Sequence, residues 1–149
     1  MAKLKIICVG RLKDNFIRQG IAKYDKRLSA KKIEVIEIKD STKKKENEEL
    51  LTRIEKICRH NGSYVIALHE HGEEFNSVEF SAFIKAKQDM DIVFIIGGPD
   101  GLDDSVTEKA DKLIALSKMT FTHEIARLLL YEQFYRAYSI MEGKKYHRK

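Results

Sequence analysis

Residues 92–101 read IVFIIGGPDG. The first five form an unbroken apolar run rich in β-branched residues, the pattern of a strand buried on both faces. Such a strand belongs inside a mostly parallel sheet with helices above and below it. A turn follows, in which three glycines and the only proline of the chain fall between Gly97 and Gly101. In an open parallel sheet, ligands bind beyond the carboxyl ends of the strands, so this turn stands where a ligand is held. Glycines there let the backbone approach a ligand closely or take positive φ. The turn is not a phosphate loop: neither G-x-x-x-x-G-K-[ST] nor G-x-G-x-x-G is present. Asp100, Asp103 and Asp104 crowd it, and like charges about 4 Å apart repel by about 4 kcal/mol at an effective dielectric of about 20. A cationic or neutral ligand fits this turn better than an anion.

Outward from the turn, the hydrophobic period alternates between two and three and a half. Lys3 to Val9 and Ile33 to Ile38 read as strands, and between them Ile17, Gly20, Ile21, Tyr24 and Leu28 recur at helical spacing. Leu50, Leu51, Ile54, Ile57 and Cys58 make a second helical stripe, with Cys58 on its apolar face. Tyr64 to Leu68 reads as a strand, and Asn76 with Glu79 as a capping box opening a helix over Phe80, Phe83 and Ile84. Ser105 with Glu108 caps one more short helix, Lys112 to Leu116 forms a last short strand, and Thr122 to Glu142 is helical. Strands alternating with helices predict an α/β fold, a mostly parallel sheet covered by helices on both faces. Apart from the lysine-rich Lys43 to Lys45, no linker, repeat or low-complexity tract interrupts the chain, so residues 1–149 are read as one domain.

Composition narrows the class. The chain has 149 residues, 43% hydrophobic and 34% charged, enough for a core without disulfide or metal support. Two cysteines in apolar runs are no secreted disulfide framework, and the apolar stretch of MAKLKIICVG is too short for a signal peptide. No segment approaches the about 20 apolar residues of a membrane span. A cytoplasmic protein is expected. The net charge of +5 is unevenly spread. Residues 1–60 carry 17 Lys and Arg against 9 acids, residues 61–110 carry 3 against 10, and residues 111–149 carry 8 against 4. Basic ends around an acidic centre suit a polyanion at the ends and a different ligand in the middle.

The last helix raises a separate question. From Ile125 to Met141, twelve of seventeen residues are apolar or Tyr and they point all round, where a helix covering one sheet face needs only a stripe. A second subunit is the economical cover. The stretch LSKMTFTHEIARLLLYEQFYRA, residues 116–137, adds chemistry. Together with the opening KIICVGRLKD, the middle VIALHEHGEEF, IIGGPDGL and the terminal KKYHRK, it resembles the family of ribosomal RNA large-subunit methyltransferase H, in the SPOUT class of knotted methyltransferases. The resemblance runs over essentially the whole chain.

That resemblance implies a carboxyl-terminal trefoil knot, a homodimer through the knot region, and S-adenosylmethionine bent in the knot. The cofactor-binding positions it implies are Leu68, Gly97, Leu116, Ser117, Lys118, Met119, Thr120 and Phe121. It implies ribosomal RNA as partner and a pseudouridine methylated at ring N3 as substrate. The net positive charge of the cofactor agrees with the acidic middle third. In-line methyl transfer depends mainly on positioning, and the imide N–H has to lose its proton. Candidate catalytic residues are Arg127, Tyr146 and His147, among a set that also holds His123, Glu132 and Arg136. Arg127 comes four residues after His123, so both face one loop, while its plainer role is an ion pair. On the basic tail GKKYHRK, a histidine serves as a base and a tyrosine stacks on an RNA base.

Two positions depart from the family pattern: Thr122 stands where proline is usual, and His69 where an acid commonly follows the strand-end leucine. Thr122 still caps the helix through its hydroxyl. His69, His71 and His123 invite a zinc reading, but H-E-x-x-H is not met because position 127 is Arg, and no C-x-x-C exists. No metal is expected. The other class of function, a non-catalytic ribosome- or RNA-binding protein of the same fold, is disfavoured because both LSKMTF and YHRK are present.

Overall fold

The computed structural model describes residues 3–29 and 31–148. Of the terminal KKYHRK, Lys149 lies outside the described residues. In chain order the elements are β1 (Leu4–Val9), α1 (Asn15–Leu28), β2 (Glu34–Ile38), α2 (Lys43–Asn61) and β3 (Tyr64–Glu74), followed by α3 (Ser77–Ala86), β4 (Ile92–Ile96), α4 (Asp104–Lys109), β5 (Lys112–Ala115) and α5 (His123–Met141). The sheet runs β2-β1-β4-β3-β5. All four pairings are parallel, with Ile6 opposite both Val35 and Phe94, and Ile66 opposite Phe94. The apolar run therefore occupies the middle of the sheet, and every residue of β4 is buried.

Alternation sends the β4 side chains to two different cores. Ile92, Phe94 and Ile96 join Ile17 and Ile21 of α1, Phe80 and Ile84 of α3, and Leu130 and Phe134 of α5. Val93 and Ile95 join Leu50 and Ile54 of α2 and Val106 of α4. Three helices cover one face and two the other, which is why β4 carries no polar residue on either side. Phe94 and Phe134 meet edge-on with centroids 5.0 Å apart at the centre of the larger core.

Several elements differ from the sequence reading for identifiable reasons. Helix α2 starts at Lys43, because the Thr42 side chain accepts from the Lys45 N–H and caps it. The lysine-rich tract is thus a first helical turn set against the helix dipole, held by the buried Glu46 and Asn47 that follow it. Cys58 is exposed rather than on the apolar face, while Cys8 is buried. The cap of α4 is Asp103, and Ser105 lies inside the helix with its hydroxyl donating to the Asp103 carboxylate. The capping box at Asn76 and Glu79 is present in full.

Strand β3 runs past Leu68 to Glu74, with a break in its pairing. Ile114 is opposite Leu68 and again opposite Glu73. The residues between them bulge outward, and Gly72 lies so close to the Ile114 backbone that a Cβ would approach it to 2.6 Å. Only glycine allows that approach. As for α5, α1 and α3 flank it on the sheet, so no residue between His123 and Met141 is fully exposed. Part of its all-round apolar character is therefore satisfied within one chain.

Candidate functional site

The carboxyl ends of β4, β3 and β5 open on a cavity of about 890 Å³. Its first wall is the glycine turn. Gly101 donates to the carbonyl of Gly98 at 2.9 Å and takes φ 81°, closing a tight turn with Pro99 second and glycine last. A Cβ on Gly97 would reach Leu102 at 2.9 Å and the Gly101 carbonyl carbon at 3.1 Å, so the turn packs against its own beginning. A Cβ on Gly98 would meet Glu46 Oε1 at 2.6 Å.

Behind the turn, the first turns of α2 brace it. The Asn47 amide donates to the Gly101 carbonyl at 3.3 Å and accepts from the Asp103 N–H at 2.9 Å. Glu46 is 2% exposed, and its Oε2 accepts from the Ser41 N–H at 2.8 Å. No sequence signal marked this brace, because Asn47 lies 54 positions from Gly101 and 56 from Asp103.

The second wall is the loop between β5 and α5. Leu116, Ser117, Met119, Thr120 and Phe121 line the cavity, together with Leu68 and Gly97. Seven of the eight positions singled out from the sequence are thereby brought to one place, although they come from three separate segments. Lys118 is exposed and does not line the cavity. The Ser117 hydroxyl accepts from the Met119 N–H at 3.0 Å, which bends the loop, and Met119 is 75% exposed at its tip. A smaller apolar cavity of about 350 Å³ shares Leu68, Ala115, Leu116 and Phe121 and reaches Phe80 and Phe94 beneath.

The amino end of α5 completes the rim. Thr122 caps the helix, accepting from the Ile125 N–H at 3.3 Å, as its hydroxyl predicted. Glu124 turns back to the segment before α1, where its carboxylate accepts from the N–H groups of Lys13 at 2.6 Å and Asp14 at 3.3 Å. Burial raises the Glu124 carboxyl, but those two backbone donors together with the nearby His123 and Lys13 side chains outweigh it and hold the group below the ordinary carboxylate range. Among the described residues the acids lining the cavity are Asp14, Glu70, Asp100 and Glu124, against one lysine, Lys43. The cavity is acidic, in keeping with a cationic ligand. Sequence reasoning singled out the acidic turn but missed Asp14, Glu70 and Glu124, since nothing in their local pattern separates them from solvated acids.

His69 and His123 also line the cavity. The rings of His69 and His71 lie 5.5 Å apart, and His69 Nδ1 accepts from the His71 backbone. Among the described residues no group of three His, Cys, Asp or Glu is arranged to hold a metal ion, and no helix is long and apolar enough to cross a membrane.

The three candidate catalytic residues lie elsewhere. Arg127 is 8% exposed. Its Nη1 donates to Glu37 Oε2 at 2.7 Å and to Cys8 Sγ at 3.5 Å, so it is an ion pair under β1 and β2 rather than a cavity residue. Burial pushes the Cys8 thiol up to about 11, with Arg127 opposing in part. Tyr146 and His147 fold back on the far part of α5. The Tyr146 hydroxyl donates to Glu132 Oε1 at 3.2 Å and lies 3.4 Å from the Tyr24 hydroxyl. Its ring meets Tyr135 edge-on at 4.7 Å, and the Arg136 guanidinium sits 4.8 Å from its centroid. His147 Nδ1 lies 3.1 Å from Arg136 Nη1.

A parallel sheet sandwiched by helices, with a loop-walled cavity at its strand ends, is the architecture of the SpoU-type methyltransferases. The SpoU methyltransferase AviRb from Streptomyces viridochromogenes, solved in complex with AdoMet, superposes with a TM-score of 0.54 at 11% identity, over 95% of this chain and 59% of that one. At that identity the likeness shows the fold. Residues 2–147 match the family described as "Predicted SPOUT methyltransferase". The ribosomal RNA large subunit methyltransferase H of Caldicellulosiruptor saccharolyticus is 41% identical over 153 residues, covering 97% of this chain and 99% of that protein. The protein of the same name from Streptococcus uberis is 41% identical over 160 residues, covering 98% and 99%. The chain belongs to the SPOUT methyltransferases, in the family of ribosomal RNA large subunit methyltransferase H.

Proposed function

We propose that this methyltransferase uses S-adenosylmethionine to methylate N3 of a pseudouridine in the large-subunit ribosomal RNA. The observation that carries the reading is the acid-lined cavity into which Leu68, Gly97 and the 116–121 loop converge. Its volume lies in the range of small-molecule sites, roughly 300 to 1,000 Å³. The residues present fit the cofactor. Gly97, Gly98 and Gly101 leave one wall as bare backbone, apolar side chains line one flank, and Asp14, Glu70 and Asp100 are acids of the lining that favour a ligand of net positive charge. When bound, the cofactor supplies a sulfonium methyl: a bond forms from N3 to the methyl carbon, the carbon–sulfur bond breaks with its electron pair returning to sulfur, and the N3 proton passes to water.

The chain's own part is to position. The loop from Leu116 to Phe121 walls one side of the cavity and the glycine turn the other, which fixes where the reacting atoms meet while the mouth stays open to the water that takes the proton. Tyr146 and His147 serve the RNA base. From His123 to Arg136 is thirteen residues of helix, about 20 Å at 1.5 Å per residue. The tail and the cavity of one chain are thus set far apart along α5, and they form one site when a second copy brings its tail to this cavity. The homodimer, the trefoil knot and the organisation of residues 1–149 as one domain belong to this proposal. The exposed Phe16, Met119 and Phe121 give such a second copy apolar surface to cover.

Calorimetric titration with S-adenosylmethionine tests the cavity. Thr120 is exposed and lines it, so Thr120→Trp adds bulk there without touching the core. The wild type binds and the variant loses binding at an unchanged melting temperature. Transfer of a tritiated methyl to large-subunit RNA, mapped to the modified base, tests the substrate; binding without transfer to any pseudouridine would overturn that half of the reading.

A further inference from the structure

The contacts of the carboxyl-terminal tail determine where its candidate residues carry their protons. A guanidinium nitrogen only donates, so His147 Nδ1, 3.1 Å from Arg136 Nη1, accepts. A neutral imidazole that accepts at Nδ1 has its single proton on Nε2. Arg136 is held in place for this contact. Glu132 Oε1 accepts from its Nε at 2.9 Å and from its Nη2, one helical turn away. The same oxygen receives the Tyr146 hydroxyl, and the Arg136 guanidinium rests over the Tyr146 ring. Burial and these partners, Tyr24 and Glu132, push the Tyr146 phenol well above its ordinary range, so it keeps its proton. Neither tail residue offers a free lone pair of the kind a base requires.

We infer that His147 serves methyl transfer as a hydrogen-bond donor through Nε2–H rather than as the base, and that Glu132 and Arg136 are the positioning residues that set its tautomer. The inference rests on the reading above, in which the tail meets the pseudouridine. Loss of the N3 proton to water leaves an anion spread over the two flanking carbonyl oxygens of the ring. A preorganised donor aimed at one of those oxygens stabilises that charge as an oxyanion hole does. Nδ1, capped by Arg136, stays an acceptor throughout, and the network from Glu132 to Arg136 to His147 is intact before RNA arrives.

Two measurements decide it. Long-range nitrogen–proton correlation spectra of the full-length protein, with His147 assigned by comparison with His147→Gln, read the tautomer directly. The Nε2–H form is expected in the wild type and a mixture of tautomers in Arg136→Met; an Nδ1–H form in the wild type overturns the inference. Methyl transfer to ribosomal RNA then separates the roles. Glutamine donates but takes no proton, so His147→Gln stays within about tenfold of wild type while His147→Ala loses roughly tenfold to a hundredfold more, the worth of a hydrogen bond to a charged group. Equal losses in the two variants overturn the donor role. The spectra need no RNA, so they judge the tautomer even where the wild type transfers no methyl, a result that would instead count against the substrate reading.

Discussion

At its amino end, α5 meets the cavity through Thr122, His123 and Glu124; at its other end it carries Glu132, Arg136 and the folded-back tail. The first site is made mostly of backbone. Gly97, Gly98 and Gly101 shape one wall, the four-residue bulge between Leu68 and Glu73 in β3 shapes another, and the loop before Thr122 shapes the third. The second site is made of side chains, with Tyr24, Tyr135, Tyr146, Glu132, Arg136 and His147 in one network. A single stretch of sequence, residues 116–147, thus feeds two places with different construction rules. A loop-built site tolerates changes of side chain and fails when a Cβ is added, whereas a network fails when one member is removed.

The largest effect falls on what the two sites share. Phe134 is fully buried at the middle of α5, against Phe94 and Phe80. Phe134→Ala is expected to cost about 3–5 kcal/mol, read from the denaturant midpoint, and to weaken cofactor binding and tail order together. If only one end responds, α5 does not act as a rigid rod between them. Next comes a change confined to the loop-built end. Gly98 has no positive φ, so its need for glycine is purely steric: a Cβ would lie 2.6 Å from the buried Glu46 Oε1 and 3.1 Å from Val9 Cγ1. Gly98→Ala is expected to cost about 1–3 kcal/mol by overpacking. In a double-mutant cycle, Glu46→Ala recovers at least about 0.5 kcal/mol of it, since the two groups touch. Strict additivity would mean that the turn, and not Glu46, gives way.

The same contrast explains what the sequence made legible. The strand Ile92–Ile96, the parallel α/β class and the glycine turn follow from period and punctuation, which are local properties of the chain. The cavity positions Leu68, Gly97 and the 116–121 loop were recognisable through the family motifs that carry them. The brace from Asn47 to Gly101, the bond from Glu124 to Lys13 and the pair Arg127–Glu37 were not, because each joins residues 54 to 111 positions apart with no periodic signature. Arg127 takes the plainer of the two roles read for it, an ion pair, here with Glu37. Four residues after His123, it shares that side of the helix only loosely, and the pull of Glu37 places it beneath the sheet edge. Cys58 continues the apolar stripe of α2 into the last turn of that helix, where it is exposed.

Smaller changes separate the two ends more finely. Thr122 supplies a side-chain cap of α5, and Thr122→Ala is expected to cost about 1 kcal/mol. Because the cap borders the cavity, the loss should show as weaker S-adenosylmethionine binding in calorimetry, with the His147 tautomer unchanged in the nitrogen spectra. A changed tautomer would show that fraying at the amino end travels the length of the helix.

The smallest effect concerns charge at Glu124. Burial raises its carboxyl, while the Lys13 and Asp14 N–H groups and the nearby His123 and Lys13 side chains lower it, and the net shift is downward. A carboxyl depressed in the folded state contributes stability that is complete above its unfolded value and is lost as pH falls through the folded one. Glu124→Gln should therefore be slightly less stable than wild type at neutral pH, and the difference should shrink as acidification passes below the ordinary carboxylate range. Denaturant midpoints of both proteins across that interval measure the difference. Should it hold constant instead, the bonds to Lys13 and Asp14 stabilise the loop by their geometry and not by the charge, and the amino end of α5 would obey the same backbone rule as the rest of the cavity.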